Sequence, residues 1–216
     1  MPPAPPATPA ESQAPGRPVR LGIHGARHLA TRIITGAGHR PEDVEFVPYD
    51  VAEPFRPLRE HTVDVMIVKY GLQEPDVAVS GPVAHDGRAL IVGAGHPLAD
   101  RASVSIEEAA PYDAFSCPGE FPPYVWDLVV PRHTPAGVPI RRVHPMTTVE
   151  GMVEILATTH AVHVSFQSLD AVLPPHIRAV PLHDLPPAPV TLAWLRDTPL
   201  TPRAAALVAD AERNAP

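Results

Sequence analysis

Twelve histidines among 216 residues are the first feature of this sequence that could do chemistry. Imidazole changes charge near neutral pH and is also a common metal ligand. Two pairs stand close together, His24 with His28 and His160 with His163. The first straddles an expected strand-to-helix turn and the second a helix-to-strand turn, so neither has the helical H-E-x-x-H frame of a zinc site. The single cysteine, Cys117, excludes an internal disulfide and any Cys-based zinc site. No metal and no other cofactor is therefore expected. As general acids or bases, His144, His160 and His163 would work with Glu120, Glu150 or Glu154. A second kind of candidate is a cation at a binding site. Lys69 is the only lysine among 17 Lys and Arg residues, and Lys69-Tyr70-Gly71 closes the strongest strand of the chain. An amine beside an aromatic at a strand end suits a ligand contact, although most lysines are simply solvated.

The elements that position these groups need a core, and composition supplies one. With 44% hydrophobic and 19% charged residues, uniform disorder is ruled out. A net charge of -7 argues against a nucleic-acid surface, which needs clustered Lys and Arg. No run approaches the roughly 18 to 20 apolar residues that span a bilayer. Residues 1–18 form a proline-rich arm with neither the basic start nor the apolar middle of a secretory signal. That arm reads as extended and disordered, and the whole as a soluble, acidic, cytoplasmic protein.

From Val19 the pattern becomes regular. Val19 to Gly25 reads as a buried strand with its exit turn, followed by a helix carrying Leu29, Ile33 and Ile34 on one face. Val44 to Tyr49 is a strand, Glu53 to His61 a short helix led by Pro54, and Val63 to Tyr70 a third strand. This β-α-β-α-β order implies parallel strands with helices on both faces. Val77 to Val83 and Arg88 to Val92 read as strands separated by a polar turn, Ala84 to Gly87. Ser105 caps a short helix in which Glu108 completes a capping box. Tyr112 to Cys117 is a strand, Pro118 to Pro123 a loop, and Ile140 to His144 another strand. Thr147 and Thr148 cap the helix Val149 to His160, and the strand Ala161 to Phe166 follows. A short helix from Ser168, strands His176 to Leu182 and Val190 to Arg196, and a closing helix Pro202 to Arg213 complete the order. It predicts two lobes, with the last strand and helix returning to the first: lobe I over 19–83 and 186–214, lobe II over 84–185. Ligands of open α/β sheets sit beyond the carboxyl ends of the strands, here in the cleft between lobes.

The ordered set of segments VRLGIHG (19–25), PLREHTVDVMIV (57–68), ALIVGAGHPLADRASVSIEEAA (89–110), TTVEGMVEILATTHAVHVSF (147–166) and AVPLHDLPPAPVTLAWLRD (179–197) resembles the effector-binding domain of LysR-type transcription regulators. GHPLADRASVSIEEAA is its most specific piece. The resemblance covers about Val19 to Asn214 and implies an α/β, two-lobed, type 2 periplasmic-binding-protein fold with a ligand cleft between the lobes. A proline-rich arm stands where those regulators carry a winged helix-turn-helix, so no direct contact with nucleic acid is expected. The resemblance further implies a small-molecule ligand and side-by-side homodimers. It places Arg27 and His28 on the loop after the first strand, where a helix start and a guanidinium suit a carboxylate. It places Cys117, Tyr124 and Trp126 on a ligand-contacting loop of lobe II, and Thr147 and Thr148 on another. The family's small residues near the cleft are replaced by Thr159-His160-Ala161 and Ser165-Phe166-Gln167, so Phe166 and its neighbours remodel the pocket.

Two functions fit these expectations. The first is a stand-alone domain that binds a small organic molecule, carboxylated or aromatic, and closes about hinges near His85 to Arg88 and Pro181 to Asp184. The second is an enzyme of lyase or cyclase type on the same fold, acting on a small metabolite in a biosynthetic pathway, with His144, His160, His163 and Glu120 as its groups. Fold alone does not separate them.

Overall fold

The computed structural model describes residues 17–25, 27–146 and 148–215, so the expected proline-rich arm falls almost wholly outside the described residues. The first part of the chain forms β1 (Val19–Ile23), α1 (Arg27–Gly36), β2 (Val44–Pro48), α2 (Arg56–Arg59), β3 (Val65–Lys69), β4 (Val77–Val79) and β5 (Ala84–Asp86). The middle forms β6 (Arg88–Gly93), α3 (Ile106–Ala109), β7 (Ala114–Phe115), α4 (Pro123–Val129), β8 (Arg142–His144), α5 (Val149–Thr158), β9 (His163–Phe166) and β10 (Ile177–Pro181). The chain ends with β11 (Ala188–Leu195) and α6 (Pro202–Arg213).

In the first sheet β1 pairs in parallel with β2 and β3, as expected when each link runs through a helical crossover. β11 enters antiparallel beside β3, and its opposite edge takes β4 and β5. One face is sealed by Leu29, Ile33 and Ile34 of α1 together with Leu207 and Val208 of α6. The other face is covered by Phe55 and Leu58 around α2, packed on Met66 and Val68. Full burial of each such side chain stabilises by roughly 1.5–3 kcal/mol.

The second sheet runs β10-β6-β9, all antiparallel. A parallel pair, β7 with β8, joins it through the bridge Ala114 to Val162. Every residue of β6 is buried, because strands flank it on both sides and α5 crosses it. α5 approaches so closely at Gly93 that a Cβ there would collide with the Leu156 carbonyl. The Ser105 hydroxyl accepts from the Glu107 N–H, and the Glu108 carboxylate accepts from the Ser105 N–H, so the capping box at α3 is present.

Two crossovers join the sheets. One is Gly87 between β5 and β6; the other is the stretch 182–187 between β10 and β11. They touch, since the Leu182 N–H donates to the Arg88 carbonyl at 3.0 Å.

Several expected elements change. Ala84 to Gly87 is not a polar turn, because Ala84–Asp86 pairs with β11 and the Asp86 side chain is buried against a partner. The helix expected from Glu53 shrinks to Arg56–Arg59, where the Pro57 carbonyl is turned outward to accept from Thr62 and Val63. Only Ala114–Phe115 of the expected strand Tyr112 to Cys117 is paired.

Replacing Gly93 by Ala forces α5 off β6. The expected loss is roughly 2–3 kcal/mol of stability in urea denaturation, and a loss below about 0.5 kcal/mol would show that α5 is free to shift.

Candidate functional site

The two crossovers bring the end of β3, the start of β6, the end of β9 and the segment around α4 to one place. Tyr70, which follows β3, adopts the left-handed backbone region at φ 67. A bulky residue there is strained, and such strain collects at functional sites. The conformation carries the Tyr70 side chain across to the second sheet, where its hydroxyl donates to the Leu128 carbonyl at 3.1 Å.

Arg88 opens β6 and is 3% exposed. Its Nε donates to the Ser165 carbonyl at 3.1 Å, and its Nη1 donates to Tyr70 Oη at 2.7 Å and to the Leu128 carbonyl at 3.2 Å. Its Nη2 donates to the Val129 carbonyl. All these acceptors are neutral, and burial lowers the guanidinium pKa, opposed by Tyr70 and Asp86. Lys69 lies alongside. Its Nζ is 2.9 Å from Asp86 Oδ2, 3.5 Å from Ser168 Oγ and 3.9 Å above the Phe166 ring centroid. The Arg88 guanidinium shares that ring at 5.2 Å, so Phe166 supplies a π face to two cations. Burial also lowers the Lys69 pKa, against the pull of Asp86. Asp86 is 5% exposed, and its other oxygen accepts from the Ser168 N–H at 3.2 Å.

Behind this cluster the rings of Trp126 and His163 stack, with centroids 5.9 Å apart and planes 19° apart. They are 4% and 6% exposed, respectively. Trp126 Nε1 and His163 Nδ1 have no hydrogen-bond partner. Burial pushes the His163 pKa down to about 3, with His24 and Arg88 adding repulsion. His24, which follows β1, is exposed, and its Nδ1 lies 3.3 Å from the Tyr49 carbonyl.

Of the residues singled out in the sequence, Lys69, Tyr70 and Phe166 come together, and Trp126 stacks separately on His163. Others do not join them. The Arg27 guanidinium stacks on Phe46 at 4.4 Å, on the β2 side of its sheet, and His28 is exposed on α1. The Tyr124 hydroxyl accepts from the Gln73 N–H at 2.7 Å and donates to Glu74 at 2.9 Å, which ties α4 to the first sheet's loops. Cys117 donates its S–H to the Phe121 carbonyl, and burial raises its pKa, the opposite of nucleophile activation. Thr148 caps α5 through the Gly151 N–H at 3.0 Å; Thr147 lies outside the described residues.

The expected acid–base set is not assembled. The His160 ring lies against His96 near Gly93, at the opposite end of β6 from Arg88. His144 packs on Phe115, and Glu120 contributes only its backbone N–H, to the Ala52 carbonyl at 2.7 Å. His163 is neutral and touches rings rather than a carboxylate. Among the described residues the histidine–carboxylate ion pair is His39 with Asp210, on α6, and no three His, Cys, Asp or Glu groups could hold a metal ion. Among the described residues no helix is long and apolar enough to cross a membrane.

Asp86, Arg88 and Ser168 were not singled out in the sequence. Their available signal was two opposite charges flanking Gly87 just before a wholly apolar run.

Two packed α/β units joined by two crossovers, with the buried Arg88 and the half-buried Lys69 at the junction, define a two-lobed protein of the periplasmic-binding-protein-like class. The family model of the LysR substrate binding domain matches residues 13–215, and the chain belongs to that family. Solved structures agree in fold. The effector binding domain of QuiR in complex with shikimate aligns with a TM-score of 0.65 at 17% identity, covering 91% of this chain and 96% of that one. The CcmR regulatory domain from Synechocystis in complex with 2-PG gives 0.63 at 14%, covering 93% and 98%. CbnR, a LysR family transcriptional regulator, gives 0.68 at 14%, covering 92% and 70%. No curated protein matches the sequence.

The buried His163 sets a pH dependence. Its folded pKa of about 3 lies below the ordinary 6.5, so between these values the unfolded chain binds the extra proton. Stability therefore falls as pH drops from about 6.5 towards 3, by up to about 1.4 kcal/mol per pH unit from this group. Urea midpoints at pH 6.5, 5.5 and 4.5 should fall less steeply in His163→Leu than in the parent protein.

Proposed function

We propose that this chain is a small-molecule-binding domain that takes a small organic anion, above all a carboxylate, between its lobes. The observation that carries the reading is the charge at the junction. Lys69 and Arg88 bring two positive charges, and Asp86, already paired with Lys69, brings one negative. One net positive charge is thus held in a buried cluster by neutral acceptors and a ring face. Such a charge is costly without a counter-ion, and a bound anion completes it. The ligands named for the QuiR and CcmR structures, shikimate and 2-PG, support the same class of use.

In this reading lobe I comprises 19–83 and 186–214 and lobe II 84–185, with Ala84–Asp86 hydrogen-bonded back to the first sheet. The lobes rotate about Gly87 and the stretch after Pro181 as the ligand enters. Lys69, Tyr70, Trp126 and Phe166 line the site with Arg88. The domain senses or sequesters its ligand in the cytoplasm, and pairs with a second copy as the family resemblance implies.

Isothermal titration calorimetry with small carboxylates and their neutral amides tests this. Acids bind and amides do not, and Lys69→Gln weakens the acids by about tenfold or more, as befits a lost charge-assisted hydrogen bond. Circular dichroism of the variant guards against unfolding, since Asp86 loses its partner. Amides binding as tightly as acids would overturn the proposal.

A further inference from the structure

We infer that Lys69 takes a ligand carbonyl covalently, as a reversible imine, so that the acid bound at this junction is an oxo acid. The inference rests on the anion reading and deepens it. Lys69 is the only lysine of the chain, and three features of its surroundings suit an amine that reacts. It stands beside a second cation, since Arg88 shares the Phe166 ring with it. It is largely enclosed yet reachable, with 17% of its side chain exposed against 5% for Asp86. Desolvation and a neighbouring cation both favour the free amine, the form that attacks a carbonyl. A proton acceptor is also in place. Asp86 Oδ2 lies 2.9 Å from Nζ but has no hydrogen-bond partner among the described residues, so their contact is one of charge without alignment. Buried polar atoms left in that state are few in folded proteins, and many serve a function.

Charge selects the oxo acid. A guanidinium keeps its proton in a protein, whereas an ammonium can lose one. The surplus positive charge of the cluster is therefore relieved most readily at Lys69, and with Lys69 neutral Arg88 and Asp86 balance. Burial lowers the Lys69 pKa, in the same direction. A protonated imine brings the positive charge back, and the carboxylate of an oxo acid balances it. The site is thus neutral both empty and filled, whereas a carbonyl compound without a carboxylate restores the surplus. In the reaction the Nζ lone pair forms a bond to the carbonyl carbon, and Asp86 takes one N–H proton. The carbonyl oxygen takes a proton from water and becomes a hydroxyl. Asp86 returns its proton to that hydroxyl, which leaves as water, and the C=N bond keeps the remaining N–H as a protonated imine. No oxidant or reductant takes part.

The test is reductive trapping on the whole chain. Glyoxylate, pyruvate and acetaldehyde, the last a carbonyl without a carboxylate, are each added with cyanoborohydride near neutral pH. Intact mass follows the adducts and peptide mapping locates them; the chain has no other lysine, so mapping separates Lys69 from the terminal amine. Glyoxylate or pyruvate is expected to be trapped at Lys69 about tenfold or more faster than at N-acetyl-lysine amide, the least that positioning beside a bound acid supplies. Acetaldehyde shows no such advantage, and propionate slows the trapping by occupying the site. Trapping at Lys69 no faster than at the free amide, or adducts confined to the terminal amine, overturns the imine. Where calorimetry still shows acids binding, the imine alone falls; where no acid binds, the anion reading falls with it. An equal advantage for acetaldehyde overturns the choice of an oxo acid and the anion reading beneath it.

Discussion

The guanidinium of Arg88 is buried where two chain crossovers meet, and among the described residues no carboxylate pairs with it. The arrangement around it follows from that constraint. A cation so placed needs acceptors, and it takes them from both halves of the molecule: the Ser165, Leu128 and Val129 carbonyls from the second sheet's side and the Tyr70 hydroxyl from the first. Tyr70 can serve only because its backbone accepts the left-handed conformation after β3. Strain at one residue thus supports hydrogen bonding across the lobe junction. The nearest acid, Asp86, is committed to Lys69 and the Ser168 N–H, so the excess positive charge persists.

Further contacts tie the two sheets' surroundings together. The segment leading into α4 leans on the first sheet through Glu120 N–H to the Ala52 carbonyl, and through Tyr124 to Gln73 and Glu74. Gly119 sits so near Ala52 that a Cβ there would lie 2.6 Å from its carbonyl oxygen. Apolar contact adds to these polar links, since Tyr70 and Leu72 pack against the second lobe's core. The interior of each lobe is apolar and continuous.

Much of this fold could be read from the chain. Period and capping located α1, α3, α5 and α6, because those signals are local: Ser105 with Glu108, Thr148 before Val149, and apolar residues at helical spacing. The site was only partly legible. Lys69 and Tyr70 stood out as a lone lysine and an aromatic at a strand end. Asp86 and Arg88 were hidden in what resembled a polar turn, since their partners lie 17 residues away in one case (Lys69) and 77 in the other (Ser165). Arg27 misled for a similar reason. Its helix-start position suits an anion, but the Phe46 ring on the neighbouring strand captures it. The histidines misled through number. Burial, which neutralises His163 and packs it on aromatic rings, cannot be seen in a spacing.

The most direct test of this account is the charge of what the protein holds. Native mass spectrometry of the chain, offered a mixture of small acids, neutral isosteres and amines, reads it in one experiment. The account predicts one anion per chain, released on denaturation and identifiable by mass, with the neutral and basic compounds left unbound. Retention of a neutral compound or an amine in preference to every acid would contradict it.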